Sequence, residues 1–179
     1  MEVDLDSGLM RGVRQIASPN HDSRPEGVEA DLIVVHGISL PPGEYGGPWI
    51  DRLFTNTLPA DVHAYFAAIV GLRVSSHLVV MRDGAVTQYV SFTERAWHAG
   101  KSNFQGREAC NDFSVGVELE GTDTQPTRPC STSGWRKWWP RSVMPILGCR
   151  RSGSSATAIL RPAARPIPDR RSIGCAPAC

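Results

Sequence analysis

The stretch GVELEGTDTQPTRPCSTSGWRKWW, residues 116–139, decides how far the fold extends along the chain. Its first half alternates apolar residues with carboxylates, which is typical of a strand that runs into a polar turn. From about Thr127 the pattern stops, and arginine, cysteine, proline and tryptophan dominate. We therefore expect a folded part at residues 1–126 and a different kind of chain at residues 127–179.

The charge balance divides at the same place. Residues 1–126 contain 9 Lys or Arg against 17 Asp or Glu, whereas residues 127–179 contain 10 basic residues against one acid, Asp169. The second part also holds 7 of the 14 prolines and 4 of the 5 cysteines. A basic tail of this kind is typical of nucleic-acid or membrane binding, and that interpretation stays open at this point.

The length and the start of the chain narrow the class of protein. The 179 residues suffice for one domain with a sizeable core, and we expect no second full domain. The acidic start lacks the pattern of a secretory signal, and no apolar run approaches the length of a membrane span. Cys110 is the single cysteine of residues 1–126, which fits a reducing cytoplasm.

Local patterns within residues 1–126 predict alternating strands and helices. A β-branched run predicts a buried strand at residues 30–38, followed by a Pro- and Gly-rich loop at 39–51. Helical spacing predicts a helix at 59–72, and Asp83-Gly84 predicts a β-hairpin turn. A further strand is expected at 111–121. The fold class is therefore α/β, a single domain with a central mixed sheet flanked by helices, whose C-terminal third is not natively folded.

The sequence surroundings of three histidines predict different roles for them. His36 ends an apolar strand beside a Gly-rich loop, where it is either a ligand or a structural residue. His77 lies among apolar strand residues and is expected in the core. The segment RAWHAG, residues 95–100, which contains the third, His98, predicts a ligand-facing loop or a packed corner.

Two carboxylates on the strand at 111–121 form the other candidate group. Glu118 and Glu120 point to the same face of that strand, because side chains alternate along it. A carboxylate in a buried strand costs free energy unless it is paired or reactive, so Glu118 is a candidate general base. A solvated edge strand is the alternative, and the spacing alone does not decide between them.

Four motifs together carry a resemblance to a known family. They are HGISLPPG at residues 36–43, AWHAG at 96–100, GREACNDFS at 106–114 and ELEGTDT at 118–124. The chain from about Gly12 to Pro126 resembles the AmpD-like anhydro-muramyl-peptide amidases, which belong to the zinc amidase family that also includes peptidoglycan recognition proteins. The resemblance implies a cytoplasmic, zinc-dependent hydrolase of peptidoglycan recycling, which cleaves the amide between the lactyl group of anhydro-N-acetylmuramic acid and L-alanine.

The resemblance also implies roles for individual residues. His36 matches a zinc ligand, and Glu118 matches the acidic residue that acts as general base. Gly37 stands where close relatives carry asparagine, which removes a side chain that could bind the substrate. Three further residues match positions near the sugar-peptide groove: Arg73, Trp97 and Arg107.

The rest of the family's site is missing from the chain as written. The family needs a further His and Asp as zinc ligands and a Lys, in a motif G-H-x-D-I-A-P-G-R-K-x-D-P-G, but no histidine follows His98. When the tail is read one base earlier, residues 154–169 permit G-H-S-D-I-A-P-G-R-K-T-D-P-G, which satisfies every step of the motif. We therefore hypothesise that the reading frame slips close to residues 125–127, so that 127–179 is an out-of-frame tail.

These observations leave a leading function and two alternatives. The leading hypothesis is an amidase, expected as a monomer without nucleic-acid or membrane partners, whose zinc binding and activity are impaired in the chain as written. The first alternative is a non-catalytic muropeptide-binding module, which binding insensitive to a chelator would favour. A genuine basic arm for nucleic acid or membrane ranks below both, because out-of-frame reading of a GC-rich gene also gives an Arg- and Pro-rich tail.

Overall fold

The structure is a computed structural model that describes residues 2–122 and a strand at residues 156–159. Within these residues the chain forms a mixed β-sheet accompanied by short helices. The predicted α/β class with a central mixed sheet is therefore confirmed. The expectation that residues 127–179 are not natively folded lies, apart from the strand at 156–159, outside the described residues.

The described elements are short and are joined by long loops. The strands are β1 Glu2–Val3, β2 Met10–Arg11, β3 Arg14–Gln15, β4 His21–Ser23, β5 Leu32–Ile38, β6 Leu78–Val80, β7 Val86–Gln88, β8 Glu94–Ala96, β9 Asn103–Phe104, β10 Arg107–Glu108, β11 Ser114–Glu120 and β12 Ala156–Ile159. The helices are α1 Trp49–Phe54, α2 Ala64–Ile69 and a 3₁₀ helix at Cys110–Phe113. None of the described helices is long and apolar enough to cross a membrane.

The main sheet has β5 and β11 in its interior. Six strands of the described part form this sheet in the order β12-β5-β11-β6-β7-β3. β5 and β11 run parallel over seven paired positions, from Leu32 opposite Ser114 to Ile38 opposite Glu120. β12 and β6 border this pair in parallel, and β7 then runs antiparallel to β6. Parallel strands in a sheet interior are covered on both faces, and accordingly β5 is rich in valine and isoleucine and β11 contains two valines.

The two faces of the sheet are covered by different parts of the chain. Residues paired across parallel strands share a face, so Glu118 lies on the same face as its partners His36 and Val79. Val79 packs in an apolar cluster with α1 and α2. On the opposite face Val115 and Val117 pack with residues of β1 and β2. The helices are therefore on the same face of the sheet as His36 and Glu118.

The hairpin between β6 and β7 follows its prediction. Val80 pairs with Val86 across the turn, and Gly84 adopts a φ of 89°, in the left-handed region that glycine favours. The carboxylate of Asp83 accepts a hydrogen bond from the backbone N–H of Ala85 at 2.9 Å. The Asp83-Gly84 turn is confirmed.

The helices differ from their predictions. The helix predicted at residues 59–72 is shorter, because α2 covers only Ala64–Ile69. His63 caps it: its Nδ1 accepts a hydrogen bond from the backbone N–H of Tyr65 at 3.1 Å, which satisfies one of the free donors of the first turn. The helix α1 begins at Trp49, inside the segment where the Pro- and Gly-rich pattern predicts a loop.

The strand predicted at residues 111–121 begins later than expected. The 3₁₀ helix precedes it, and β11 starts at Ser114. The side-chain oxygen of Asn111 accepts hydrogen bonds from the backbone N–H groups of His98 and Ala99, at 3.2 and 2.8 Å. These bonds to another loop hold residues 110–113 in a turn, where a ladder of strand pairing was expected.

Candidate active site

The structure brings the predicted residues His36 and Glu118 together. They are direct partners in the parallel register of β5 and β11, near the C-terminal ends of both strands. Side chains at paired positions point to the same face. Ligands of sheets with parallel strands commonly bind beyond the carboxyl ends of the strands. The residue assigned to a metal and the residue assigned to proton transfer therefore share one location.

The half-buried Glu118 has one carboxyl oxygen that is buried and without a partner. Its Oε2 atom is buried and has no hydrogen bond among the described residues. Burial raises the pKa of Glu118 to about 8, because the charged form loses its hydration. A buried polar atom without a partner commonly marks a reactive or ligand-binding group. Glu118 can therefore hold a proton at neutral pH and release it to a reacting group.

Glu120, the second carboxylate of the predicted pair, has partners. Its two oxygens accept hydrogen bonds from the backbone N–H of Gly46 and, at 3.1 Å, from that of Arg82. The guanidinium of Arg82 also lies 4.2 Å from the ring centroid of Tyr45. Glu120 thus joins the loop after β5 to the turn after β6. The difference in surroundings favours Glu118 as the reactive carboxyl group.

His36 is buried and contacts a second histidine. Its Nε2 lies 3.0 Å from Nδ1 of His98, and the two rings meet edge-on with centroids 5.2 Å apart. Burial lowers the pKa of His36 to about 4. For His98, burial first, and then the neighbouring His36 and His77, lower the pKa well below its ordinary value. Both rings are therefore neutral at pH 7.

His98 packs directly on the backbone of β11. A Cβ atom built on Gly116 would lie between 2.4 and 2.8 Å from three atoms of the His98 ring. A glycine inside a strand commonly marks such a close approach, so Gly116 carried a signal that the sequence pattern did not use. Of the two alternatives for residues 95–100, the packed corner describes His98.

His77 is a structural histidine, as the sequence predicts. It is fully buried, and its Nδ1 accepts a hydrogen bond from the backbone N–H of Gly116 at 2.9 Å. Its Nε2 therefore carries the proton and donates to the carbonyl oxygen of Glu94 at 3.1 Å. Burial, with a smaller effect of Arg24, lowers the pKa of His77 to about 3. This ring has no free nitrogen for a ligand.

Arg24 supports the site although no sequence motif marks it. Its guanidinium donates hydrogen bonds to the carbonyl oxygens of Asn111, Asp112 and Ser114, at 3.2, 2.9 and 2.9 Å. Burial lowers the pKa of Arg24 to about 10, so it remains charged at pH 7. These bonds hold the 3₁₀ helix and the start of β11 in place. The partners lie almost 90 residues away in the sequence, which is why local patterns did not reveal them.

Trp97 is held beside His98 by a group of charged residues. Its indole N–H donates to Oδ1 of Asp22 at 3.1 Å. Asp22 forms an ion pair with Arg95 at 2.5 Å, and Arg95 also reaches Asp112 at 2.5 Å. The indole is half-buried, so one part of it remains accessible. Its predicted place in a substrate groove stays a prediction.

The two predicted groove arginines lie in other surroundings. Arg73 is exposed, and its hydrogen bonds within the described part of the chain are long, 3.4 and 3.5 Å, to backbone carbonyls of neighbouring residues. Arg107 forms an ion pair with Asp31 at 2.8 Å and stacks on the ring of Phe113. Asp31 directly precedes β5 and is about 16 Å along the strand from His36, at about 3.3 Å per residue. The Arg107 guanidinium is therefore tied to the far end of β5.

The donor atoms of this site fit a part of a zinc site. A catalytic zinc ion needs three protein ligands and an open position. His36 offers one ring nitrogen, and Glu118 offers an unpartnered carboxyl oxygen at the same location. Within residues 2–122 no group of three or more His, Cys, Asp or Glu side chains is arranged to hold a metal. The described residues therefore offer one ring nitrogen that could hold a zinc ion and a neighbouring carboxyl group.

Comparison with known proteins gives consistent results for sequence and structure. A family model described as N-acetylmuramoyl-L-alanine amidase matches residues 26–143. The 1,6-anhydro-N-acetylmuramyl-L-alanine amidase AmpD of Citrobacter freundii is 59% identical over 120 residues, which cover 67% of this chain and 64% of that protein. The AmpD of Escherichia coli K12 is 58% identical over 120 residues, or 67% and 66% of the two chains.

A solved structure extends the similarity to the fold. The crystal structure of a selenomethionine derivative of AmpD matches with a TM-score of 0.67 at 57% identity, over 69% of this chain and 68% of that chain. The chain spans about 64% of the length of the Citrobacter freundii relative that it matches.

Proposed function

Because the chain belongs to the N-acetylmuramoyl-L-alanine amidase family, we propose that it derives from a 1,6-anhydro-N-acetylmuramyl-L-alanine amidase. The reaction is hydrolysis of the amide between the lactyl group of the anhydro sugar and L-alanine, and the substrate is a muropeptide released during peptidoglycan recycling in the cytoplasm. The names of the relatives in Citrobacter freundii and Escherichia coli support this substrate. We expect a monomer that needs neither nucleic acid nor a membrane.

The observation that carries the proposal is the pairing of His36 with Glu118 on one face of the sheet. Glu118 takes a proton from the attacking water and gives it to the leaving amine of L-alanine. Its raised pKa of about 8 suits this role, because a group that exchanges protons near neutral pH works best when its pKa lies close to the operating pH. The orphaned Oε2 is the atom that is free to take the proton.

Zinc is the cofactor that this family implies, and His36 is the described residue that would hold it. A zinc ion supplies a Lewis acid, which polarises the carbonyl group and makes a water molecule more acidic. The remaining ligands are not among the described residues. Trp97 and Arg73 are proposed to contact the sugar and the stem peptide. Arg107 can do so only if its ion pair with Asp31 opens.

We further propose that the chain as written is impaired, because its tail is encoded out of frame. The family match runs past the proposed slip to residue 143, but it does not reach residues 154–169, where the restored frame permits the missing His, Lys and Asp. Resequencing the codons for residues 124–130 tests the slip directly. Codons for 154–169 that cannot encode the missing motif in the shifted frame would overturn it.

Turnover of anhydro-muramyl-tripeptide tests the function. The 179-residue chain is compared with the product of the frame-restored gene, both with added zinc. We expect turnover by the restored protein, its loss on Glu118→Gln or with a chelator, and at most a trace with the chain as written. Clear turnover by the 179-residue chain would refute the impairment. A restored protein that folds and binds zinc but leaves the substrate intact would refute the amidase.

A non-catalytic muropeptide-binding module is the second candidate. The observation in its favour is that residues 2–122 keep the sheet, Trp97 and Glu118 but no complete group of metal ligands. Calorimetric titration of the 179-residue chain with anhydro-muramyl-tripeptide distinguishes the two. Binding that persists unchanged in a chelator, without turnover by the restored protein, favours the binding module.

A further inference from the structure

We propose that His98 is a positioning residue, which holds His36 in the neutral tautomer with its proton on Nε2 and leaves Nδ1 free of a proton. The proposal concerns four groups in a row: the carbonyl group of Cys110, the hydroxyl group of Ser114, and the rings of His98 and His36. A neutral imidazole has one N–H donor and one acceptor nitrogen, so the direction of each hydrogen bond in such a row fixes the next.

Ser114 and Cys110, at the buried end of the row, determine the direction of the hydrogen bonds. The Ser114 hydroxyl donates its single proton to the carbonyl oxygen of Cys110 at 2.5 Å. It must therefore accept the hydrogen bond that joins it to Nε2 of His98 at 3.2 Å. Ser114 and Cys110 have no exposed surface, so no solvent can reverse this arrangement. The Nε2 atom of His98 consequently carries the proton.

The protonation of His98 then determines which atom donates in its hydrogen bond with His36. An imidazole with its ordinary pKa is mostly neutral at pH 7, and a neutral ring whose Nε2 carries the proton has only a lone pair on Nδ1. This Nδ1 lies 3.0 Å from Nε2 of His36, which must then donate. The Nδ1 of His36 is left without a proton and has no hydrogen bond among the described residues. It can accept a hydrogen bond or bind a cation beside Glu118.

The surroundings of His98 keep its ring in this place. The Asn111 side chain holds the backbone N–H groups of His98 and Ala99. The missing side chain at Gly116 leaves room for the ring. His77 lies with its ring centroid 5.9 Å from that of His98 but does not compete, because both of its nitrogens have backbone partners.

The tautomer itself needs neither metal nor substrate, whereas its use for binding a cation rests on the proposed function. The test is therefore made on the 179-residue chain without zinc, labelled with ¹⁵N. Long-range ¹H–¹⁵N correlation spectra distinguish protonated from unprotonated ring nitrogens at pH 7. The five histidine signals are assigned by single substitutions, beginning with the exposed His21→Gln and His63→Gln.

We expect His36 and His98 each to show one tautomer, with the proton on Nε2. A proton on Nδ1 of either ring, or the averaged signals of a ring that exchanges between tautomers, would overturn the proposal. If variants of the buried histidines fail to fold, the exposed variants still leave three signals, those of His36, His77 and His98. A proton on Nδ1 in any of these three would then overturn the proposal, because the Gly116 N–H already fixes His77 in the Nε2 form. Absence of amidase turnover would leave the tautomer unaffected, so the two proposals fail separately.

Two variants of His98 distinguish positioning from packing. In His98→Asn the side-chain oxygen can take the place of Nδ1, so His36 should keep its single tautomer. In His98→Leu the acceptor is lost but the apolar volume remains, so the His36 ring should give averaged signals. Equal His36 spectra in the Asn and Leu variants would show that packing alone fixes the ring, and would overturn the role of His98.

Discussion

Two carboxyl groups on the same face of β11 have opposite surroundings, and this difference leads to a prediction for single residues. Glu120 accepts two backbone hydrogen bonds, whereas Oε2 of Glu118 has no partner among the described residues. Because the folded-state pKa of Glu118 is raised to about 8 from an ordinary value of 4.5, the unfolded chain ionises first. The contribution of Glu118 to the free energy of unfolding is therefore greatest below pH 4.5, and it is lost as the pH rises towards 8.

We expect Glu118→Gln to raise the free energy of unfolding at pH 8 by about 1 kcal/mol or more, because the buried charge is removed. Glu120→Gln should lower it by about 1–3 kcal/mol, since one backbone N–H loses its acceptor. Urea denaturation of both variants at pH 8 measures the two changes. Equal effects at the two positions would contradict the assignment of Glu118 as the unpartnered, reactive carboxyl group.

Gly116 gives a second prediction for a single residue. A methyl group there would meet the His98 ring at less than 3 Å, so Gly116→Ala must displace His98 or the strand. We expect a loss of about 1–3 kcal/mol in the free energy of unfolding, as for other overpacked sites. The matched control is Gly37→Ala on β5, where the new methyl group would meet only a carbonyl oxygen at 3.7 Å. Thermal unfolding that affects both variants alike would contradict the contact.

At the scale of elements, Arg24 determines how the 3₁₀ helix meets β11. Its guanidinium donates to three carbonyl oxygens of that junction, and a shorter or neutral side chain leaves them without donors. We expect Arg24→Met to cost about 3 kcal/mol of unfolding free energy, with Arg24→Lys between it and the unmodified chain. Hydrogen exchange of the amides of residues 110–116 should increase at the same time.

The control for Arg24 is an arginine whose ion pair lies in solvent. Arg11 pairs with Asp4 at 3.0 Å, and its side chain is 69% exposed. Exposed pairs contribute little, so Arg11→Met should change the unfolding free energy by less than about 1 kcal/mol. Full stability of Arg24→Met would show that water can replace the guanidinium at this junction.

Elements with a strong local pattern could be predicted, and elements held by distant contacts could not. The apolar run of β5 and the Asp83-Gly84 turn specify their own conformations, and the structure agrees with both. The 3₁₀ helix depends on Arg24 and on Asn111, whose partners lie elsewhere in the sequence. The helix α1 begins next to prolines and glycines, which mask its short pattern.

At the scale of the whole molecule, the resemblance identified the two residues of the candidate site, and the topology explains why they meet. His36 and Glu118 are more than 80 positions apart, and only the parallel pairing of β5 with β11 makes them neighbours. His98 and Ser114 escaped prediction, because their role follows from hydrogen-bond directions in the folded chain. The groove residues Arg73, Trp97 and Arg107 stay predictions, as does the slip of frame near residues 125–127.

The buried histidines also make the stability of the whole molecule depend on pH. Burial lowers the pKa of His36 to about 4 and that of His77 to about 3, and it lowers the pKa of His98 as well. Below pH 6.5 these histidines bind protons in the unfolded chain but stay neutral in the folded protein. Arg24 and His21 also disfavour a positive charge on His77 in the folded protein. The contribution of the buried histidines is therefore complete above pH 6.5 and is lost as the pH falls towards the folded-state values.

We expect the free energy of unfolding to fall between pH 6.5 and pH 5 by a few kcal/mol, at about 1.4 kcal/mol per pH unit for each histidine. Glu118 offsets the contribution of about one histidine, because its folded state is protonated over this pH range and is therefore stabilised as the pH falls. Urea denaturation at pH 8, 6.5 and 5 measures the slope. His77→Gln should reduce the pH dependence of the unfolding free energy by the contribution of one histidine. His63→Gln, at an exposed position, should leave this pH dependence unchanged. A slope that both variants share with the unmodified chain would mean that groups other than the buried rings control the acid sensitivity of this fold.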